Sequence, residues 1–102
     1  MSKKETEKSI KIFVQDVLKD RDAWTPAWEV KHHESATVYA KEFAEQLAYR
    51  MGIDLDNPIY AVTVENIMAS LAEEFRTAGC KVIWEGDVIK IFRPLQQILK
   101  VV

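Results

Sequence analysis

The sequence predicts an α+β domain: three helices, then a C-terminal antiparallel β-hairpin, then a short tail helix. Three observations carry that prediction. Apolar residues recur at i, i+3, i+4 and i+7 in three separate stretches, the period of helices with one buried face. After Gly79 the period changes to two, and Gly86-Asp87 divides two alternating runs. Gly52 and Gly79 stand just past the ends of apolar stripes, where a left-handed residue ends a helix. A chain of 102 residues fits one such domain with one core.

The first helix is expected over about residues 3–21. Ile10, Phe13, Val14, Val17 and Leu18 form its stripe, and Ser2 with Glu5 matches a capping box. Residues 1–9 are mostly polar and charged, and are expected to fray. Residues 22–34 lack helical period, and Pro26 disfavours helix at Thr25. Trp28 to His33 reads as one short extended segment. The second helix is expected over 35–51, with Ser35 as N-cap. Its stripe is Ala36, Tyr39, Ala40, Phe43, Ala44, Leu47, Ala48 and Met51, and Gly52 ends it. Residues 54–60 are a connection in which Asn57-Pro58 caps a short turn. The third helix is expected from near Thr63 to near Ala78, with Val64, Ile67, Met68, Leu71, Ala72 and Phe75 on its stripe.

The hairpin pairs 80–85 with 88–93 around Gly86-Asp87, a loop of the kind that makes a type II′ turn. That register puts Trp84 with Ile89 and Val82 with Ile91 on the face meant for the helices. Ile83, Val88 and Phe92 share the other face with Lys81 and Lys90. Leu95, Ile98, Leu99 and Val102 repeat at helical spacing after Pro94. This apolar tail, 95–102, is expected to cover the second face of the hairpin, on its own chain or on a second copy. The second copy is preferred, because little chain lies between Pro94 and Leu99 to turn back.

Composition excludes several functions. There are 14 Lys+Arg against 16 Asp+Glu, a formal net charge of −2, which speaks against a general polyanion binder. A single cysteine, Cys80, rules out an internal disulfide framework and a zinc site built on cysteines. The sequence contains no apolar run of membrane-spanning length and no apolar signal segment, so a cytoplasmic location is expected.

Helix, extended segment, helix, helix and hairpin, in that order over about residues 10–93, resemble a winged helix-turn-helix domain. The most telling stretch is TVENIMASLAEEFRTAGCKVIWEGDVIKIF, a helix ending at Gly and running straight into a tight hairpin. The resemblance implies that the third helix enters the DNA major groove and that the hairpin is the wing. The expected second helix and the connection 52–62 are longer than that pattern. Charge opposes DNA as the ligand. Opposite the third stripe lie Asn66, Ala69, Ser70, Glu73, Arg76 and Thr77, flanked by Glu65 and Glu74, and the wing tip is acidic. Phosphate neutralisation supplies most duplex affinity, and this helix has little to offer it.

No cluster carries chemistry. His32, His33, Glu34 and Glu29 lack the spacing of a metal-binding helix, and adjacent histidines on an extended segment face opposite ways. The two histidines read as solvated loop residues. Cys80 follows a helix C-terminus, where the dipole disfavours a thiolate, so it reads as a small buried apolar residue. Asp54 with Asp56 reads as turn capping, and Glu73 with Glu74 as a solvated helix face. Neither a cofactor nor an enzymatic activity is expected.

The expected function is therefore stoichiometric binding to another protein, as an adaptor, inhibitor or accessory factor, with a homodimer possible. Trp24, Trp28, Val38, Tyr49, Ile83, Phe92, Leu95 and Leu99 are the candidate contact residues, since large aromatic and apolar groups dominate interfaces. Val38 and Tyr49 are assigned to the outer face of the second helix. The alternative is a DNA-binding regulator using Lys3, Lys4, Lys8, Lys11, Lys90 and Arg93 for phosphates and Asn66 and Ser70 for bases.

Overall fold

A computed structural model describes residues 2–95. The elements are α1 (Lys3–Lys19), a 3₁₀ turn (Arg21–Ala23), β1 (Thr25–Pro26), β2 (His33–Val38), α2 (Ala40–Arg50), α3 (Tyr60–Thr77), β3 (Lys81–Glu85) and β4 (Val88–Pro94). Three helices thus combine with a four-stranded antiparallel sheet in the order β1-β2-β4-β3. The strands interleave with the helices; they do not all follow them. Of the expected tail helix, Ile98, Leu99 and Val102 lie outside the described residues.

Local signals set most boundaries. Ser2 Oγ accepts from the Glu5 backbone N–H, and Glu5 returns a bond to the Ser2 N–H, which closes the capping box of α1. Both expected glycine stops are present. Gly52, with φ 79°, donates to the Tyr49 carbonyl while Ile53 donates to Ala48. Gly79, with φ 99°, donates to Arg76 while Cys80 donates to Phe75. These paired bonds satisfy the last carbonyls of α2 and α3. α3 begins one turn earlier than its stripe suggests, at Tyr60. There the Asn57 side chain and carbonyl accept from the N–H groups of Ile59 and Tyr60.

The second helix departs from expectation. Residues 33–38 form β2, and Ser35 is no N-cap but a strand residue opposite Phe92. Ala36 and Val38 point into the core opposite Ile91 and Ile89, so Val38 is buried and not on an outer helix face. The cause is tertiary: β4 offers β2 a full ladder, and that pairing overrides a local alanine-rich stripe. α2 then starts without a side-chain cap, and the Lys41 N–H donates to the Asp87 carbonyl of the hairpin turn at 3.0 Å. Of the expected extended segment Trp28 to His33, residues 28–32 are turn and bend and only His33 is strand, and His32 takes φ 66°.

The hairpin register is as expected: Val82 opposite Ile91, Trp84 opposite Ile89, Ile83 opposite Lys90, Lys81 opposite Phe92. Gly86 has φ 62° and Asp87 is not left-handed, which suits a type II′ turn. Burial follows only in part. Ile89 and Ile91 are fully enclosed and Val82 is half-buried, but Trp84 stays 38% exposed at the sheet edge. Its indole N–H donates to the Gly86 carbonyl at 2.9 Å. The core lies between the helices and one sheet face, around Phe75, Leu47, Leu71, Ile89 and Ile91.

Candidate functional site

The sheet face turned away from the helices carries Ser35, Thr37, Lys81, Ile83, Lys90 and Phe92, by alternation from the core residues. The 27–32 segment folds over part of this face. Ala27 is buried, and its N–H donates to the His33 carbonyl at 3.0 Å. Val30 donates to Ala27, His33 donates to Val30, and Leu95 donates to the His32 carbonyl at 3.1 Å. Lys90 Nζ donates to Glu29 Oε2 at 2.8 Å and lies 5.6 Å from the centre of the Phe92 ring. Phe92 is buried on this face, and the cover expected from residues 96–102 lies outside the described residues. On this pinned loop Trp28 stands 93% exposed.

The other half of the expected tryptophan pair does the opposite job. Trp24 is buried, and its indole N–H donates to the Val17 carbonyl at 2.9 Å. The Arg93 guanidinium stacks on it at 3.8 Å. Arg93 also donates to Glu34 Oε2 at 2.7 Å and to the Leu18 carbonyl at 2.8 Å, and Arg21 approaches the same carboxylate oxygen at 3.4 Å. Glu34 is only 3% exposed. This buried pair joins β2, β4 and the end of α1. The sequence reading did not find it, because its partners lie 59 positions apart.

Of the candidate protein contacts, Trp28 and Tyr49 are fully available, and Ile83 and Leu95 are partly so. Trp24, Val38 and Phe92 are interior, and Leu99 lies outside the described residues. The structure brings Ile83 and Phe92 to the face that the Trp28 loop crosses, while Tyr49 sits apart on α2. Leu55, Ile59 and Val62 are also exposed, along the α2–α3 connection and the first turn of α3. They fall off the apolar stripe, so periodicity did not flag them.

Of the candidate phosphate contacts, half are engaged within the fold. Lys11 pairs with Glu74 at 2.8 Å, Lys90 with Glu29 and Arg93 with Glu34. Lys3, Lys4 and Lys8 are exposed on α1, and Asn66 and Ser70 are exposed on α3 beside the α1 groove.

The histidine segment offers no ligand set. Glu29 and Glu34 are both held by cations, and His33 Nδ1 lies 3.1 Å from the Lys31 carbonyl. Among the described residues, no three His, Cys, Asp or Glu side chains gather as a metal site. Burial pushes the Cys80 thiol up, and the nearby Arg93 charge opposes this only in part. No described helix is long and apolar enough to cross a membrane. No protein-family model, curated protein or solved structure matches this chain.

Proposed function

We propose that this chain is a winged-helix-like, non-enzymatic module that binds another protein stoichiometrically, with Trp28 as its anchor. The layout is consistent with that architecture: α1, β2, α2 and α3 precede the β3–β4 hairpin, and β2 pairs with its second strand. The observation that carries the function is the loop. A tryptophan left almost wholly in water forgoes roughly 1.5–3 kcal/mol of burial. Here the loop beneath it is already fixed by four backbone bonds and the Glu29–Lys90 pair. Such an anchor loses little freedom on binding, the economy that interface tryptophans exploit.

DNA is the less favoured ligand. Three of its six candidate phosphate contacts already neutralise the chain's own carboxylates, and α3 still presents Glu65 and Glu73 to solvent.

The test compares wild type with Trp28→Ala. A partner retained at one-to-one stoichiometry from an extract of the source cells should bind the variant about thirtyfold more weakly, a loss of about 2 kcal/mol. Stability should stay within about 0.5 kcal/mol, as for a surface change. Equal retention by both proteins would reject Trp28. Sequence-dependent duplex binding in the nanomolar range at physiological salt would reject the protein-binding reading.

A further inference from the structure

β3 stands at the end of the strand order and reads Lys81-Val82-Ile83-Trp84-Glu85. Its hydrogen-bonding directions follow from the turn. Glu85 and Val88 close a two-residue loop, and in such hairpins the closing pair exchanges both backbone bonds. Bonded and non-bonded pairs then alternate. Lys81, Ile83 and Glu85 thus spend their N–H and C=O groups on β4. Val82 and Trp84 aim theirs out of the sheet, across its outer edge among the described strands.

The side chains along that edge complement themselves. Turned antiparallel about Ile83, the segment places Lys81 opposite Glu85 and Val82 opposite Trp84, twice each. Lys81, Ile83 and Glu85 share the outer face, and Val82 and Trp84 share the core face, so each match falls on the correct side. The register also sets the outward groups of Val82 against those of Trp84, which is a bonded pair. Ile83, 39% exposed, and Trp84 are the apolar groups such a contact covers.

We propose that β3 pairs with β3 of a second copy about a two-fold axis at Ile83, joining two four-stranded sheets into one of eight strands. The interface is isologous, each Lys81 meeting the other chain's Glu85. A second copy is the chosen occupant because opposite charges sit at equal distances on either side of one apolar residue. The contact lies away from the Trp28 loop and does not rest on its role.

The experiment is sedimentation equilibrium of full-length chains with charge variants at two exposed positions. Lys81→Glu alone, or Glu85→Lys alone, puts like charges opposite each other at both ends of the paired strands. Each should weaken self-association about tenfold, given cross-strand pair energies near 0.2–1 kcal/mol. An equimolar mixture of the two variants restores opposite charges at both ends, so it should dimerise like wild type. The double variant should also dimerise. Recovery in the mixture excludes misfolding as the cause of the single-variant loss. Amide exchange supplies a second readout: the Val82 and Trp84 N–H groups should gain protection as concentration rises. A wild-type chain still monomeric at high micromolar concentration would overturn the proposal. So would a dimer indifferent to both single variants, or one whose Val82 and Trp84 amides exchange freely.

Discussion

At one edge of the sheet stands β1, two residues long with Pro26 in it; at the other stands β3, five residues long with Val82, Ile83 and Trp84 at its centre. Pro26 has no N–H to offer a further strand, and so short an edge gives little to extend. The chain then turns over the outer face beside β1 and is tied down there. Beneath it the Glu34–Arg93 pair and Trp24 lock β2 and β4 to the end of α1. Among the described residues β3 has none of these devices beyond its terminal charges, Lys81 and Glu85. The contrast separates two tasks. The β1 side is closed and holds the fold together, while on the β3 side Val82 and Trp84 aim their backbone groups out of the sheet.

The largest effect should come from breaking the closed side. Glu34→Ala leaves the Arg93 guanidinium buried without its main carboxylate, and losing one member of a buried pair costs about 3–5 kcal/mol. Urea unfolding measures it. A loss below about 1 kcal/mol would mean that the β1 side is held by something other than this pair.

The open side should respond less. A fully buried tryptophan truncated to alanine costs about 3–5 kcal/mol, but Trp84 is more than one-third exposed, so Trp84→Ala should cost about 1–2 kcal/mol. The same unfolding experiment, done at low protein concentration to keep association out of the result, gives the comparison. If Trp84→Ala matched Glu34→Ala, the two edges would not divide the work as described.

Legibility in the sequence follows the same division. The β3–β4 register was readable to the residue, because a tight Gly-Asp turn and period-two alternation are local signals. The ends of α2 and α3 were readable for the same reason, from one glycine each. β2 was not. Ala36, Tyr39 and Ala40 fit a helical stripe, and what makes residues 33–38 a strand is β4, more than fifty positions away. The two tryptophans were likewise inseparable. Trp24 is interior because Arg93 and the Val17 carbonyl receive it, and Trp28 is exterior because His32 turns left-handed and Glu29 reaches Lys90. Each cause involves a partner that spacing alone does not reveal.

The smallest effect belongs to the strap on the closed side, and its sign is set by acid. The bond from Lys90 holds the Glu29 carboxyl below its ordinary value of 4.5, with a further contribution from its own backbone N–H. A lowered folded value means that the pair stabilises the loop fully above the ordinary value. That contribution is lost as pH falls through the lowered one. Both side chains reach solvent, so added salt should also weaken it. A carboxyl-detected NMR titration should show Glu29 titrating below 4.5, and Trp28 fluorescence should change over the same range. Glu29→Gln should abolish that fluorescence step while leaving the acid behaviour of the rest of the chain in place. If Glu29 titrated at or above its ordinary value, the strap would not be formed in solution. The closed side would then rest on the Glu34–Arg93 pair and the backbone bonds alone.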